Sequence, residues 1–514
     1  MIVRSFVMRS SYQDSLVLMR IAQELRSQSG VEQAAALMGT PSNHEILAAA
    51  GLSTPESADA KLGDLILAVG ASDEAAADVA LQSARDRFSV RAKAFVEQAS
   101  ARSLERALLD QPQSNLAVIS VPGEYARLEA MRALRRGLHV FLFSNNVPIV
   151  DEIALKRYAV GRGLLCMGPD CGTAYLSGVG IGFANVVPQG PIGLIAASGT
   201  GLQAVASGVA NLGLGVSHGI GVGGRDLSGE VGGLMTFAAL DWLDRDPGTL
   251  LIVLVSKPPA ASVLPQLQER LSRLSKPAVV CCLGATALAA SLPGVDWMDD
   301  LAATAAMAVA RLQKKDYIPR SFEAPARVRE MLGVVERQGT VAGKTVLGLY
   351  TGGTLATEAK LILRALIGQV DGNPPSGGND GHHVIDLGDD EYTVGKPHPM
   401  LAPETRAERL LPWTDGKTVG VVLLDCVLGR VGHADPLGVL LTEIAKAREG
   451  ASKRGTSLQF VASVTGTEGD PQSASLQRKR LVDANVAVLD SNAEAARFAA
   501  LLVRPDLQAR LLEL

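Results

Sequence analysis

Two stretches of the chain have the residue types and spacing to hold an anion. Residues 193–201 read Gly-Leu-Ile-Ala-Ala-Ser-Gly-Thr-Gly, and residues 348–354 read Gly-Leu-Tyr-Thr-Gly-Gly-Thr. In each, an apolar run of β type (191–196 and 344–350) ends in small residues and hydroxyls, and a helical pattern follows at once (202–210 and 355–366). The first turn of a helix leaves backbone N–H groups without partners and carries the positive end of the helix dipole. Glycine lets an oxygen-rich ligand approach that backbone, and a Ser or Thr hydroxyl adds a donor. Ser198, Gly199 and Thr200 are therefore expected to bind phosphate or an acyl phosphate, faced by Thr351, Gly352, Gly353 and Thr354. A hydroxyl-capped turn with no ligand is the alternative for one copy; recurrence of the device weakens it.

The elements that must position these loops also recur. About fifty residues after each loop comes a second continuous apolar run, 246–255 and 415–425, and then a third, 277–283 and 458–464. Runs of this kind are buried on both faces of a parallel sheet, and their alternation with helical segments gives a doubly wound α/β unit, present twice. Upstream, strands are expected at 2–8, 34–38, 62–69, 116–121, 139–143 and 164–168. The predicted fold class is α/β with domains at 1–188, 189–313 and 341–514. Residues 314–340, charged and containing Pro319 and Pro325, read as a linker with a short helix, and the Gly-, Pro- and Asn-rich 371–381 as a surface insertion.

Other residues are candidates for chemistry. Arg225, in Gly223-Gly224-Arg225-Asp226, has the planar fork that clamps a carboxylate or phosphate, unless it forms an ion pair with Asp226 or Asp241. His398 lies between two prolines, which restrict its backbone as an aimed side chain requires. His433 is placed for a general base in the loop that runs from Gly429 to Pro436, and that loop competes with 351–354 as the opposite wall of the anion site. The turn Gly168-Pro169-Asp170-Cys171-Gly172 is expected near the site, with Cys171 packing or presenting backbone, since no histidine lies near it in sequence to activate it. Asp386, Asp389, Asp390 and Glu391 are hard oxygen ligands that suit magnesium or a solvated loop, and no metal is assigned.

With 47% hydrophobic and 20% charged residues in 514, the chain can bury sizeable cores. A net charge of −4 and no basic stripe interleaved with aromatics exclude a nucleic-acid partner. No apolar run has the length of a membrane span, so a cytoplasmic protein is expected. The five cysteines, at 166, 171, 281, 282 and 426, show no CxxC spacing and read as buried free thiols.

The motifs also carry a resemblance. Gly168–Gly172, Ser198–Thr200 and the run from Gly219 to Asp226 resemble the α-subunit of succinyl-CoA synthetases, and the third domain resembles the ligase domain of their β-subunit. The whole chain is similar to the FdrA family, through Met38-Gly-Thr-Pro41, Met167 to Thr173, Ser256-Lys-Pro-Pro259, Leu349 to Thr354 and Tyr392 to Met400. The resemblance implies a Rossmann-like CoA-binding-type domain followed by two flavodoxin-like ligase domains, with a phosphate shared between the two loop helices. It further implies a subunit of oxamate carbamoyltransferase, an enzyme of allantoin and purine catabolism. That enzyme uses phosphate to cleave oxalurate to oxamate and carbamoyl phosphate, with companion proteins in an oligomeric complex. The alternative it implies is an acyl-CoA synthetase subunit, with a separate nucleotide-binding partner and an acyl-CoA product.

Three departures bear on that choice. The stretch 283–289, Leu-Gly-Ala-Thr-Ala-Leu-Ala, has no histidine where CoA ligases relay phosphate through one. No segment has the length of an ATP-grasp domain. After the first strand stands Arg9-Ser-Ser-Tyr-Gln-Asp14 rather than a glycine-rich turn, so CoA stays an open cofactor while phosphate is expected as a substrate.

Overall fold

A computed structural model describes residues 1–11, 13, 15–96, 101, 103–285, 292–337, 343–372, 381–393, 397–414 and 418–512. Most of the 371–381 insertion, residues 286–289 of the loop expected to lack a histidine relay, and Lys396 of the 392–400 motif lie outside the described residues. The chain forms two compact units, Met1–Asn115 with Thr393–Pro397, and Leu116–Tyr392 with His398–Leu514.

The first unit corrects the expectation of one Rossmann-like domain over 1–188. Its three strands, Ile2–Met8, Leu65–Ala71 and Val31–Met38, lie in that spatial order and pair antiparallel throughout. The run Leu65–Ala71 is wholly buried, as a parallel-sheet strand would be. Here a helix layer carrying Leu18, Ile21, Leu25 and Ala80 covers one face, and Leu47, Leu52 and Ala60 cover the other. Hydrophobicity along a strand reports burial, not the direction of its neighbours.

The second unit holds the expected α/β elements. Strands Leu116–Ile119, His139–Leu142 and Cys166–Met167 make a small parallel sheet. A seven-stranded sheet follows in the order Val295–Trp297, Ala278–Cys282, Leu251–Ser256, Gln189–Ala196, Val216–Gly221, Thr173–Leu176 and Val179–Gly182. The last two strands form a hairpin whose turn, Ser177 and Gly178, has φ of +50° and +79°, the left-handed pair that a tight hairpin needs. This hairpin pairs antiparallel with Val216–Gly221, so residues 173–182 belong to the sheet of the first ligase domain, upstream of the boundary expected at 189.

The second ligase sheet is parallel across six strands, in the order Val370–Asp371, His382–Asp386, Thr345–Tyr350, Val419–Val427, Gln459–Thr465 and Ala487–Leu489. In both sheets the strand that empties into the anion loop lies beside the next long apolar strand, with Ile195 opposite Leu254 and Leu349 opposite Leu424. The expected linker is instead part of this body. Helix Pro325–Arg337 buries Val328, Leu332 and Val335 in the main core, and Arg327 pairs with Asp490 at 2.9 Å. The 3.6-residue spacing of those apolar positions is what its charged composition concealed.

Helix Gly199–Asn211, which carries the first loop, packs on helix Leu301–Gln313. Their approach is close at Gly208, where a Cβ would stand 2.9 Å from that of Ala305. A Gly208→Leu variant is therefore expected to lose about 1–3 kcal/mol of stability through overpacking, read as a lower urea midpoint. An unchanged midpoint would mean that the two helices are free to separate.

Candidate functional site

The two loop helices meet end to end. Ser198 caps helix Gly199–Asn211, its Oγ accepting the Gly201 amide, and Gly352 is the N-cap of helix Gly353–Ile367. The Thr354 hydroxyl donates to Ser198 Oγ at 2.5 Å, across 156 positions of sequence. Thr200 joins the same contact: a Cβ on Gly352 would stand 2.9 Å from Thr200 Cγ2 and 3.1 Å from its hydroxyl oxygen. Glycine at 352 is what permits the approach. The structure thus brings Ser198, Gly199, Thr200, Gly352, Gly353 and Thr354 to one place.

A residue with no signal in its type or spacing completes the first half. Thr173 is 1% exposed, its Oγ1 has no hydrogen-bond partner among the described residues, and it lies 3.0 Å from where a Cβ on Gly199 would sit. A buried hydroxyl without a partner costs about 1–3 kcal/mol. This one overlies the first turn of a helix whose amides seek an anion.

The second half differs. Thr351 N and Gly352 N donate to the Asp425 carboxylate at 2.9 Å, and the Thr351 hydroxyl donates to it at 3.0 Å. Asp425 stands in the apolar strand Val419–Val427 and pairs with Arg406 at 2.9 Å, both almost wholly buried. Burial pushes the Asp425 carboxyl up, against the pull of Arg406 and of the Thr351 and Gly352 donors. Thr351 and Gly352 therefore serve an internal carboxylate, which corrects their expected role as phosphate ligands. The signal available in the sequence was an aspartate within a strand that has no other charge.

Beside this helix end lies a second acidic group. A Cβ on Gly353 would stand 2.4 Å from Asp386 Oδ2, and Asp386 Oδ1 accepts the Gly388 amide at 2.9 Å. Burial pushes the Asp386 carboxyl up to about 6. His398 reaches the same loop, its Nε2 being 2.6 Å from where a Gly388 Cβ would be. Its Nδ1 accepts the Met400 amide at 3.2 Å, which leaves the proton on Nε2, and its ring packs on Phe183. Burial pushes this imidazole down to about 4, so at neutral pH it is an uncharged N–H donor.

The remaining candidates are structural. Arg225 donates to Val147 O and pairs with buried Glu152, each at 2.8 Å. Asp226, fully buried, binds Lys156 at 2.8 Å and accepts the Met235 and Thr236 amides that open helix Leu234–Arg245. The partner of Arg225 is thus Glu152, neither a ligand nor Asp226 or Asp241, because two buried acids beside one buried lysine require a second cation. Gly223 turns at φ +89° against Pro169 O, and Gly224 follows it; both shape this ion-pair cluster.

The Gly168–Gly172 turn is held by backbone, with Gly168 N on Gly221 O, Asp170 N on Ser144 O and Cys171 N on Leu142 O. Only Gly172 comes near the anion loop, its carbonyl carbon 3.6 Å from a Cβ on Gly199. Burial pushes the Cys171 thiol up to about 12, consistent with packing. Gly429 exchanges hydrogen bonds with the Gln472 amide, and His433 Nδ1 is engaged by Asp435 of its own loop.

Comparison with known proteins places this geometry. A profile for CoA-ligase matches residues 349–502, and a profile for AllF, heavy metal-associated domain, matches residues 1–103. "Uncharacterized protein YahF" of Escherichia coli (strain K12) is 36% identical over 510 residues, covering 97% of this chain and 98% of its own. Succinate–CoA ligase [ADP-forming] subunit alpha of Methanothermobacter thermautotrophicus is 28% identical over 182 residues, 34% of this chain and 58% of its own. The crystal structure of PH0766 from Pyrococcus horikoshii OT3 is similar at a TM-score of 0.34 and 15% identity, covering 81% of this chain and 88% of that one. The ligase likeness thus lies in residues 349–502, which match the CoA-ligase profile, and in the third of the chain similar to the succinate–CoA ligase alpha subunit. Among the described residues, no helix is long and apolar enough to cross a membrane.

The heavy metal implied for 1–103 does not fit the residues there. The first cysteine of the chain is Cys166, and the single histidine of the segment, His44, bonds Ala60 O at 3.0 Å. Soft thiolate ligands are what such ions select. The turn after the first strand is instead closed on Asp64, which binds Arg9 at 2.7 Å and the Ser10 amide at 2.8 Å. Among the described residues, no group of His, Cys, Asp and Glu is arranged for a metal.

Two measurements probe this arrangement. Asp425→Asn leaves Arg406 buried without a counter-charge and is expected to lose about 3–5 kcal/mol in denaturant unfolding; a loss below about 1 kcal/mol would show the pair to be dispensable. His398, neutral in both states above pH 6.5, resists protonation in the folded chain down to about 4. Stability should therefore fall as pH drops through that window, by up to about 3 kcal/mol. His398→Gln should flatten that slope, and an identical slope in the variant would remove His398 as its source.

Proposed function

The chain belongs to the FdrA family, and we propose that it is the phosphate-holding subunit of a carbamoyltransferase that converts oxalurate and phosphate to oxamate and carbamoyl phosphate. The observation that carries this reading is the Ser198–Thr354 contact between two helix N-termini, with the Thr173 hydroxyl above it, which has no hydrogen-bond partner among the described residues. Such a site holds one tetrahedral anion by hydroxyls and amides. Direct attack by that phosphate on a carbamoyl carbon requires no histidine relay and no nucleotide; the protein has to position phosphate and polarise a carbonyl. The uncharged Nε2–H of His398 is suited to the second task.

Ser198, Gly199, Thr200 and Thr354 are proposed as phosphate contacts, with Thr173 added. The AllF profile over residues 1–103 supports a place in allantoin catabolism. Companion proteins are proposed to supply the rest of the site, as subunits do in the succinate–CoA ligases. The likeness of this chain to the alpha subunit of those ligases favours a second reading, an acyl-CoA synthetase subunit that takes nucleotide chemistry from a partner.

The test is to purify the chain with its companion proteins and assay oxalurate cleavage with inorganic phosphate, beside acyl-CoA formation with ATP and CoA. Phosphate-dependent release of carbamoyl phosphate is expected. A Thr173→Val, Ser198→Ala variant should raise the KM for phosphate at least about tenfold, since a hydrogen bond to a charged ligand contributes about 1.5–3 kcal/mol. Acyl-CoA formation without phosphorolysis would replace this reading with the second.

A further inference from the structure

We propose that Asp386 is the proton-transfer residue of this site, a role that rests on the phosphorolytic reading above. The geometry comes first. Asp386 ends strand His382–Asp386, opposite Tyr350, the last residue before the anion loop. Its Oδ1 accepts the Gly388 amide at 2.9 Å, and its Oδ2 lies 2.4 Å from where a Cβ on Gly353, the first residue of the loop helix, would stand. Gly353 immediately precedes Thr354, whose hydroxyl meets Ser198. An anion that reaches the first turn of that helix would therefore meet the Asp386 carboxylate beside Gly353.

The other titratable groups there are unsuited to the task. Asp425 is enclosed by Arg406 and by the Thr351 and Gly352 donors, and its oxygens are directed into the fold. His398 stays neutral until about pH 4 and offers N–H rather than a basic nitrogen. Asp386 faces Asp389 and Asp425, which resist its ionisation, and Lys257, which favours it, with the His398 ring across Gly388. Burial outweighs these and brings it to about 6, close to neutral pH, where a group can both accept and release a proton.

The step balances without a further reactant. An oxygen of hydrogen phosphate attacks the carbamoyl carbon, and the remaining P–OH proton passes to Asp386 Oδ2. As the carbon–nitrogen bond breaks, its electron pair goes to nitrogen, and Asp386 returns the proton to that nitrogen. A primary amide leaves, the carbamoyl group stays on phosphate, and the carboxylate is regenerated.

The test uses the chain in complex with its companions, with inorganic phosphate as the probe for binding by calorimetry. Asp386→Asn is expected to lower kcat at least about a hundredfold, the lower range for a positioned acid–base group. Phosphate affinity should stay within about threefold, and the limb of the pH–rate profile near 6 should vanish. Asp386→Glu should recover part of the rate and shift that limb, which a purely structural aspartate would not do. A kcat within about threefold of wild type and an unmoved pH profile in Asp386→Asn overturn the assignment while leaving the phosphate site standing. Loss of phosphate binding in Asp386→Asn, restored with full rate by Asp386→Glu at an unshifted pH profile, overturns it in favour of a positioning role. Absence of phosphorolysis in the wild-type complex removes both readings together.

Discussion

Bringing two helix N-termini into contact costs free energy that negative charge between or beside them offsets. Each carries about half a positive charge, so at about 5 Å and an effective dielectric of 20 they repel by on the order of 1 kcal/mol, before any desolvation of their amides. The contact of Thr354 with Ser198 fixes the two ends at such a distance. Everything polar around them follows from that constraint. Asp425 supplies a carboxylate beside one of them, where burial raises its proton affinity and Arg406, at 2.9 Å, opposes that rise. One helix end has a carboxylate built in, and the other is the one proposed to take phosphate.

The asymmetry is visible because the two ligase domains repeat one plan. Counting back two residues from each N-cap gives Ala196 and Tyr350. Ala196 pairs with Val255, and since Leu349 pairs with Leu424, Tyr350 stands opposite Asp425. Val255 lies against Gly201 in the first turn of helix Gly199–Asn211, where a Cβ would meet it at 3.3 Å. One copy of the duplicated position is apolar and the other a carboxylate. The helix beside Val255 keeps its demand for an anion, and the Thr173 hydroxyl at that same end has no hydrogen-bond partner among the described residues. The proposed phosphate on that side would satisfy both.

Much of this was legible in the sequence, for identifiable reasons. Loop, strand and helix alternate with fixed spacing in both halves, and the hydroxyl–glycine turns announce helix ends, so the facing loops could be named from residue types alone. Antiparallel pairing of the first unit was not legible, because Leu65–Ala71 is apolar on both faces whichever way its neighbours run. The 173–182 hairpin carried a signal in Ser177-Gly178 but joins a sheet whose other strands lie downstream. Arg225 and Asp226 misled because a glycine-flanked arginine has one appearance as a ligand clamp and as a buried ion-pair partner. The discriminating residues, Glu152 and Lys156, lie about seventy positions upstream. Asp425 had a signal in the strand itself, while Arg406, on a separate helix, had none.

The polar groups around the two helix ends divide by how tightly each is held. Asp425 is anchored by Arg406 and the Thr351 and Gly352 donors, so its position is part of the fold. His398 is kept neutral by burial, so it adds a donor to the cleft without adding a cation that would compete with Arg406 for Asp425. Asp386 has one oxygen fixed by the Gly388 amide and the other at the helix end. A dianion bound at Ser198 and Thr200 raises the proton affinity of that carboxyl further, because like charges in a poorly solvated site cannot all stay ionised. On the proposed reading, phosphate binding at the Ser198 end would thereby be coupled to proton uptake at the carboxylate beside Gly353, the facing helix end. That coupling follows from leaving the end beside Val255 without a built-in carboxylate.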